Sequence, residues 1–146
     1  MGMVHTEITL RNAYDAYKAK EGLIKEAEIR QTTVTALVDT GSATIAINEE
    51  LQEQLGLEVQ GLKRANFANA AKEICKVTYP VEIYWNERYT ALPAVVIPGS
   101  DEVLLGAIPL EDMDLIVDPS RQALIGAHGD EVIVRMKGTY YVKSFG

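Results

Sequence analysis

The chain has 146 residues, of which 47% are hydrophobic and 24% charged, and its formal net charge is -7 at pH 7. This composition predicts one soluble domain, residues 1–146, with room for a core. The charge argues against nucleic acid as a partner, because phosphate binding needs a basic face. With no apolar stretch of roughly 18 residues and no recognisable signal peptide, we expect no membrane partner and a cytoplasmic location.

The cysteine and histidine content argues against a metal site. Cys75 is the only cysteine and cannot form an internal disulfide, so it most simply fills a strand position as a small hydrophobic residue. Together with His5 and His128 it shows no spacing typical of a zinc site or a catalytic triad. We therefore expect no cofactor.

The first half of the chain is predicted to contain strands and two short helices. Residues Val4 to Leu10 alternate with the period of a half-buried strand. A helix is predicted from Asn12 to Glu21, and a strand from Thr32 to Val38 runs straight into an aspartate. After the next strand, Thr44 to Ile47, a second helix is predicted between Asn48 and Gly56.

The second half consists mainly of short β-prone segments separated by turn residues. These segments are 62–67, 73–78, 81–85, 88–92, 94–97, 103–105, 115–117, 123–125, 131–137 and 140–145. A short helix is predicted from Ile108 to Met113, and Asp118 to Arg121 is predicted to be a turn. Short strands at this spacing indicate an all-β barrel or sandwich.

The most informative stretch is Ala36 to Ser42, where an apolar run stops at Asp39 and a turn follows at once. A lone buried carboxylate costs several kcal/mol unless something compensates it, so we interpret Asp39 as functional. Gly41 permits a tight turn, and the hydroxyls of Thr40 and Ser42 can hold the loop or the carboxylate. Taken alone, the motif is equally well explained as a turn that caps a strand.

A second motif makes this stretch more specific. Asp39-Thr40-Gly41-Ser42, after two apolar residues, resembles the active-site loop of aspartic proteases. Leu104-Leu105-Gly106, followed by a helix, resembles the element that passes beneath that loop in the same proteins. Over Thr32 to Ile125 the chain is thus similar to the retroviral-like (retropepsin-like, clan AA) single-domain aspartic proteases of small bacterial type. The resemblance implies an all-β, closed barrel-like fold with one or two short helices.

The resemblance also implies a mechanism and a partner. Peptide hydrolysis by this chemistry needs two carboxylates that share one proton, yet the chain contains one Asp-Thr-Gly. We therefore expect a homodimer in which the two Asp39 carboxylates meet at the twofold axis and activate a water. Thr40 would bond across the axis, Gly41 would admit the peptide substrate, and Ser42 would donate a hydrogen bond to the outer carboxylate oxygen. The remaining aspartates are interpreted as helix-end, turn or surface residues: Asp101, Asp112, Asp114, Asp118 and Asp130.

By the same resemblance, a flap hairpin closes over the substrate, with its tip at Ala68 to Ala71. The expected substrate-binding residues are Ser42, Ala68, Asn69, Ala70 and Leu104. Flap tips in this family usually carry glycine, and alanine tolerates a positive φ poorly, so Asn69 is expected to adopt that conformation. The alanine-rich tip favours an alternative function, a dimeric peptide-binding module that cleaves poorly.

Two further expectations concern the dimer and a third function. The residues that form an ion pair in retroviral enzymes are replaced here by Ala43, Thr44 and Ala107, so the dimer is expected to depend on other contacts. An aspartyl-phosphate enzyme is excluded because Asp39 is followed directly by Thr40 and the chain has no room for a nucleotide-binding domain.

Overall fold

The computed structural model describes residues 3–136 and 138. These residues form eleven strands, of which nine belong to one sheet. The strands are β1 (His5–Asn12), β2 (Gln31–Val38), β3 (Ile45–Ile47), β4 (Val59–Asn66), β5 (Lys72–Thr78), β6 (Val81–Trp85), β7 (Arg88–Leu92), β8 (Ala94–Val96), β9 (Val103–Leu105), β10 (Leu115–Asp118) and β11 (Ala123–Gly126). The helices are α1 (Ala13–Lys20), α2 (Glu49–Leu55) and α3 (Ala107–Asp112), with a 3-10 turn at Glu26–Glu28.

The sheet has nine strands in the order β4-β5-β8-β3-β9-β2-β1-β6-β7 and curls into a half-barrel, while β10 and β11 form a separate hairpin. This architecture confirms the predicted all-β class. The described residues contain three short α-helices, one more than the one or two that the fold class implied. All three lie where the sequence predicted helical segments: asparagine side chains cap α1 and α2, and Pro109 lies in the first turn of α3.

Two asparagines show how local sequence sets these helices. The Asn12 side chain accepts a hydrogen bond from the Asp15 amide at 3.0 Å, and its own amide donates to the Leu55 carbonyl at 2.9 Å. The start of α1 is thereby tied to the end of α2. At the start of α2, the Asn48 side chain accepts from the Leu51 amide at 2.7 Å, and at its end Gly56 has φ 61°.

The hydrophobic core lies inside the curled sheet and beneath α2 and α3. Alternate residues of β1 and the short strands β3 and β8 point inward, so the strand pattern of the sequence becomes one continuous cluster. Its most deeply buried members include Ile8, Leu10, Ile45, Ile47, Leu55, Ile83, Val96 and Leu105. Cys75 is 1% exposed within β5, which confirms its predicted position as a small hydrophobic strand residue.

The strand predicted over 131–137 was wrong within the described residues. Glu131 to Met136 are exposed, and their only ladder contact is an isolated bridge between His128 and Glu131. Apolar alternation specifies which side chains share a face, but a strand also needs a neighbour with free backbone groups. The described part of this chain supplies none for these residues. Lys137 and the predicted segment 140–145 lie outside the described residues.

An ion pair between the buried Asp15 and the half-exposed Arg30 supports the end of β2 opposite the Asp39 loop. Asp15 is 2% exposed and accepts hydrogen bonds from the Arg30 amide at 3.0 Å, Nε at 2.8 Å and Nη2 at 2.9 Å. The bonds from the Arg30 side chain hold the pKa of Asp15 below its usual 3.8, although burial alone would raise it. The stabilisation is therefore present above that usual value and is lost as the pH falls through the lowered pKa.

We expect Asp15→Asn to lower the free energy of unfolding at pH 7 by about 2 kcal/mol, since charged hydrogen bonds are lost while Arg30 stays half exposed. The difference from wild type should shrink as the pH falls well below 3.8, because Asp15 then becomes neutral in the wild type too. Urea denaturation at a series of pH values measures this. Asp101→Asn, at an exposed site, is the matched control, and a difference independent of pH would contradict the prediction.

Candidate active site

The Asp39 loop stands at a crossing of three strands. β9 runs parallel to β2 on one side, with Leu105 paired to Val38, and antiparallel to β3 on the other, with Leu105 paired to Ile45. The strands that enter and leave the loop are therefore held apart by β9. The Asp39 amide donates to the Leu105 carbonyl at 3.0 Å, which fixes the start of the loop.

The Asp39 carboxylate is held by donors from its own loop. The Gly41 amide donates to Oδ1 at 3.0 Å, and the Ser42 hydroxyl donates to Oδ2 at 2.8 Å. A further bond, from the Ser42 amide to the Asp39 carbonyl at 3.0 Å, closes the turn. The carboxylate is thus half-buried with both oxygens oriented, and the bond expected from Ser42 is present.

The backbone of Gly106 lies in close contact with the Asp39 loop. A Cβ at this position would lie 2.5 Å from the Ser42 carbonyl oxygen and would also collide with the Thr44 carbonyl. The next residue, Ala107, donates its amide to the Ser42 carbonyl at 2.8 Å. The segment Leu104-Leu105-Gly106 therefore passes directly beneath the loop and leads into α3, as its sequence predicted, and only glycine fits at the crossing.

β4 and β5 form the hairpin that the sequence predicted as the flap, and its tip corrects one expectation. Ala70, not Asn69, has the positive φ, at 68°. Phe67 and Ala71 pair at the base of the tip, and the Ala70 amide donates to the Phe67 carbonyl at 2.9 Å. A three-residue loop on this pairing needs a left-handed third residue. The Asn69 side chain instead accepts from the Ala71 amide at 3.0 Å.

The structure brings some of the predicted site residues together and leaves others apart. Asp39, Gly41 and Ser42 form one hydrogen-bonded group, and Thr40 is exposed beside them. The residues of the flap tip, Ala68 to Ala70, are exposed, and no hydrogen bond among residues 3–136 joins them to the loop. Leu104 is half-buried on β9, while its neighbours on either side face the core.

A cavity of about 530 Å³ adjoins the loop, and Asp114 helps to form its wall. Asp114 follows α3 with φ 56° and is 8% exposed, so its interpretation as a helix-end residue holds but a surface position does not. Its Oδ2 accepts from His128 Nδ1 at 2.7 Å and from the Ile133 amide at 3.1 Å. The bond from His128 is the main reason why the pKa of Asp114 is lowered.

This pair holds the exposed segment 131–136 against α3 and β10. The sequence offered no signal for it, because 14 residues separate the two partners and neither belongs to a motif. As for metals, the part of the chain that is described contains no group of three His, Cys, Asp or Glu side chains close enough to hold an ion. Its helices also include none long and apolar enough to cross a membrane.

The comparisons with known proteins agree with this geometry. A family model described as aspartyl protease matches residues 25–108, more than half of the chain, and the chain therefore belongs to the aspartyl protease family. Among curated proteins none matches. The retroviral protease-like domain of Ddi1 from Leishmania major has a TM-score of 0.53 at 15% identity, covering 85% of this chain and 87% of that one. This likeness shows a retropepsin-like fold.

A retropepsin-like aspartic protease from Rickettsia conorii is also similar, with 23% identity and a TM-score of 0.45. The match covers 60% of this chain and 77% of that one.

Proposed function

We propose that this protein is an aspartic endopeptidase that acts as a homodimer, with a water activated between the Asp39 carboxylates of two copies. The observation that carries the proposal is the carboxylate held by Gly41 and Ser42 above Gly106, in a chain of the aspartyl protease family. Such a preorganised carboxylate needs no further rearrangement before it can accept a proton.

The chemistry requires a second carboxylate within reach of the first. One Asp39 takes a proton from the water while the other, carrying the shared proton, donates it to the scissile carbonyl. The sequence has one Asp-Thr-Gly, so the partner carboxylate comes from a second copy around a twofold axis. Thr40 is exposed next to Asp39, which is compatible with a contact to its own mate across that axis.

An exposed apolar face beside Thr40 supports the dimer. Thr40 lines the same cavity as Ile116 and Ile133, which are 49% and 42% exposed. A neighbouring cavity of about 200 Å³ is lined by Ile108 and Val134, which are 57% and 55% exposed. Apolar side chains grouped in this way are typical of an interface.

The segment 131–136 belongs to this face. Its apolar residues alternate as in a β-strand, but no strand among the described residues pairs with it. Two copies related by a twofold axis can pair such segments antiparallel, which would satisfy their backbone groups and bury Val132, Val134 and Met136 or their neighbours. The strand that the sequence predicted here would then form between subunits.

One observation favours the alternative, a peptide-binding module that cleaves poorly. Ala70 takes a left-handed conformation that costs an alanine about 1 kcal/mol, so the flap tip is strained where glycine would be relaxed. A strained tip closes less readily over a peptide, which would lower catalysis while leaving the groove beneath it intact.

The test is cleavage of a diverse peptide library by the purified protein across roughly pH 4 to 7. Mass spectrometry locates the cut bonds, and Asp39→Asn is run in parallel. We expect cuts between apolar residues that vanish in the variant. Bound but uncut peptides on both proteins would support the binding module, and cuts that persist in the variant would overturn the proposed mechanism.

Ser42→Ala tests the orientation of the carboxylate. Loss of the 2.8 Å hydroxyl bond to Asp39 is expected to lower kcat by about tenfold with little change in KM, because the bond acts on the reacting group rather than on substrate binding. The matched control is Ser120→Ala, which removes a 2.8 Å hydroxyl bond to Asp118 in a surface turn and should leave kcat unchanged. Equal effects of the two variants would show that Ser42 has no orienting role.

A further inference from the structure

The flap hairpin is cationic in a chain that is acidic overall. Between Val59 and Thr78 the hairpin has four cationic side chains and one carboxylate, whereas the whole chain has a net charge of -7. The cations are Lys63, Arg64, Lys72 and Lys76, and the carboxylate is Glu73. A local surplus of positive charge on a protruding element attracts acidic segments of a partner.

The hairpin also exposes apolar side chains among these cations. Arg64 lies opposite Ile74 and Leu62 opposite Lys76, so these four share one face. The other face contains the buried Cys75 and points to the body of the protein. On the outer face Leu62 is 66% and Ile74 is 57% exposed, which is unusual for side chains of this size without a partner.

Not every cation of the hairpin is free. Lys76 Nζ lies 3.3 Å from Glu49 Oε2, so part of its charge is already compensated. Arg64 and Lys72 form no ion pair within the described residues. These two cations border the exposed Leu62 and Ile74 and remain available to carboxylates of a partner.

The backbone of the hairpin has a free edge. β4 is the first strand of the sheet order, its only neighbour among the described residues is β5, and seven of its eight residues are exposed. An edge strand of this length presents alternate N–H and C=O groups to solvent. An extended peptide can pair with them as an additional strand, with alternate side chains directed to one face.

We propose that the β4 edge binds an extended acidic peptide segment as an added strand. Its carboxylates lie against Arg64 and Lys72, and its apolar residues cover Leu62 and Ile74. The biological role of this binding rests on the proposed peptidase function. In that function, acidic segments next to the cleaved bond define the substrate class. Binding itself requires no cleavage, so the two proposals can be tested separately.

The experiment is a titration of the ¹⁵N-labelled Asp39→Asn protein with two octapeptides of sequence Val-Thr-Xaa-Thr-Val-Thr-Xaa-Thr, in which Xaa is glutamate in one and lysine in the other. In an added strand, valine and the charged residue then alternate along the same face. We expect the acidic peptide to shift amide signals of Gly61 to Asn66, with an affinity that falls as salt is added. The combined Arg64→Glu and Lys72→Glu variant should bind about tenfold more weakly, since two exposed charge pairs become repulsive.

The matched control is Lys20→Glu with Lys25→Glu, which changes the same number of exposed charges outside the hairpin and should preserve the affinity to within about twofold. Equal shifts by the lysine peptide, or shifts confined to the Asp39 loop, would overturn the proposal. The proposal would also be overturned if the Arg64→Glu and Lys72→Glu protein self-associated but bound the probe unchanged. Arg64 and Lys72 would then only prevent edge-to-edge pairing of the β4 strands of two copies. A wild-type protein that cleaves peptides while the probe leaves β4 unshifted would refute this inference alone.

Discussion

Equal amounts of wild-type and Asp39→Asn chains, allowed to exchange subunits, are expected to retain about a quarter of the activity of the same total amount of wild type. Half of the dimers would be mixed, and each mixed dimer has one carboxylate where the reaction needs two. The Asp39→Asn protein alone is expected to lose activity by about 10³-fold or more, since the base and the proton donor disappear together. Initial rates at several mixing ratios should follow the square of the wild-type fraction.

A linear dependence on the wild-type fraction would show that each chain works alone and would refute the shared site.

The apolar face provides an independent check. Val134→Asp places a charge where the second copy is expected to pack, so it should lower both the dimer fraction and the specific activity. Leu23→Asp, which adds a charge at an apolar residue that is 72% exposed just after α1, is the control and should do neither. Sedimentation velocity measures the dimer fraction.

Gly106→Ala is expected to lower the free energy of unfolding by about 3 kcal/mol and to abolish cleavage, because the new methyl group collides with backbone atoms. The φ of Gly106 is -92°, a value open to any residue, so the effect comes from space and not from backbone conformation. The carbonyls of Ser42 and Thr44 cannot move aside without displacing the loop that holds Asp39. Thermal unfolding and the peptide assay measure the two effects.

Gly61→Ala is the matched control. A Cβ at Gly61 would meet no atom within 4 Å, so its unfolding free energy should change by less than about 0.5 kcal/mol. A stable and active Gly106→Ala protein would show that the loop can shift to accept a side chain and that the close crossing is not required for activity.

The segments that were predicted well depend on neighbours in sequence. The hydroxyl bond from Ser42 to Asp39 spans three residues, and the cap from Asn48 to the Leu51 amide spans three as well. Both partners of such a contact lie within one turn of the chain, so the local sequence is enough to predict it. The strand alternation of β1 and the turn after Asp118 were read from the same kind of local pattern.

The features that were missed depend on contacts between distant segments. Asn69 was expected to have the positive φ because its residue type tolerates it, but the pairing of Asn66 with Lys72 set the loop length and placed that conformation at Ala70. Asp114 lacked any local signal of burial, and its contact with His128 exists only because β10 and β11 fold back on α3.

By itself, then, the sequence determined the chemistry of the loop, since Asp39, Gly41 and Ser42 are adjacent and their hydrogen bonds close within one turn. The second motif, Leu104-Leu105-Gly106, was also visible in the sequence, but its need for a glycine was not. Tertiary structure decided that need: β9 inserts between β2 and β3, and this crossing brings Gly106 against the loop from 67 residues away. Strand pairing over such distances depends on the whole core, which no local pattern encodes.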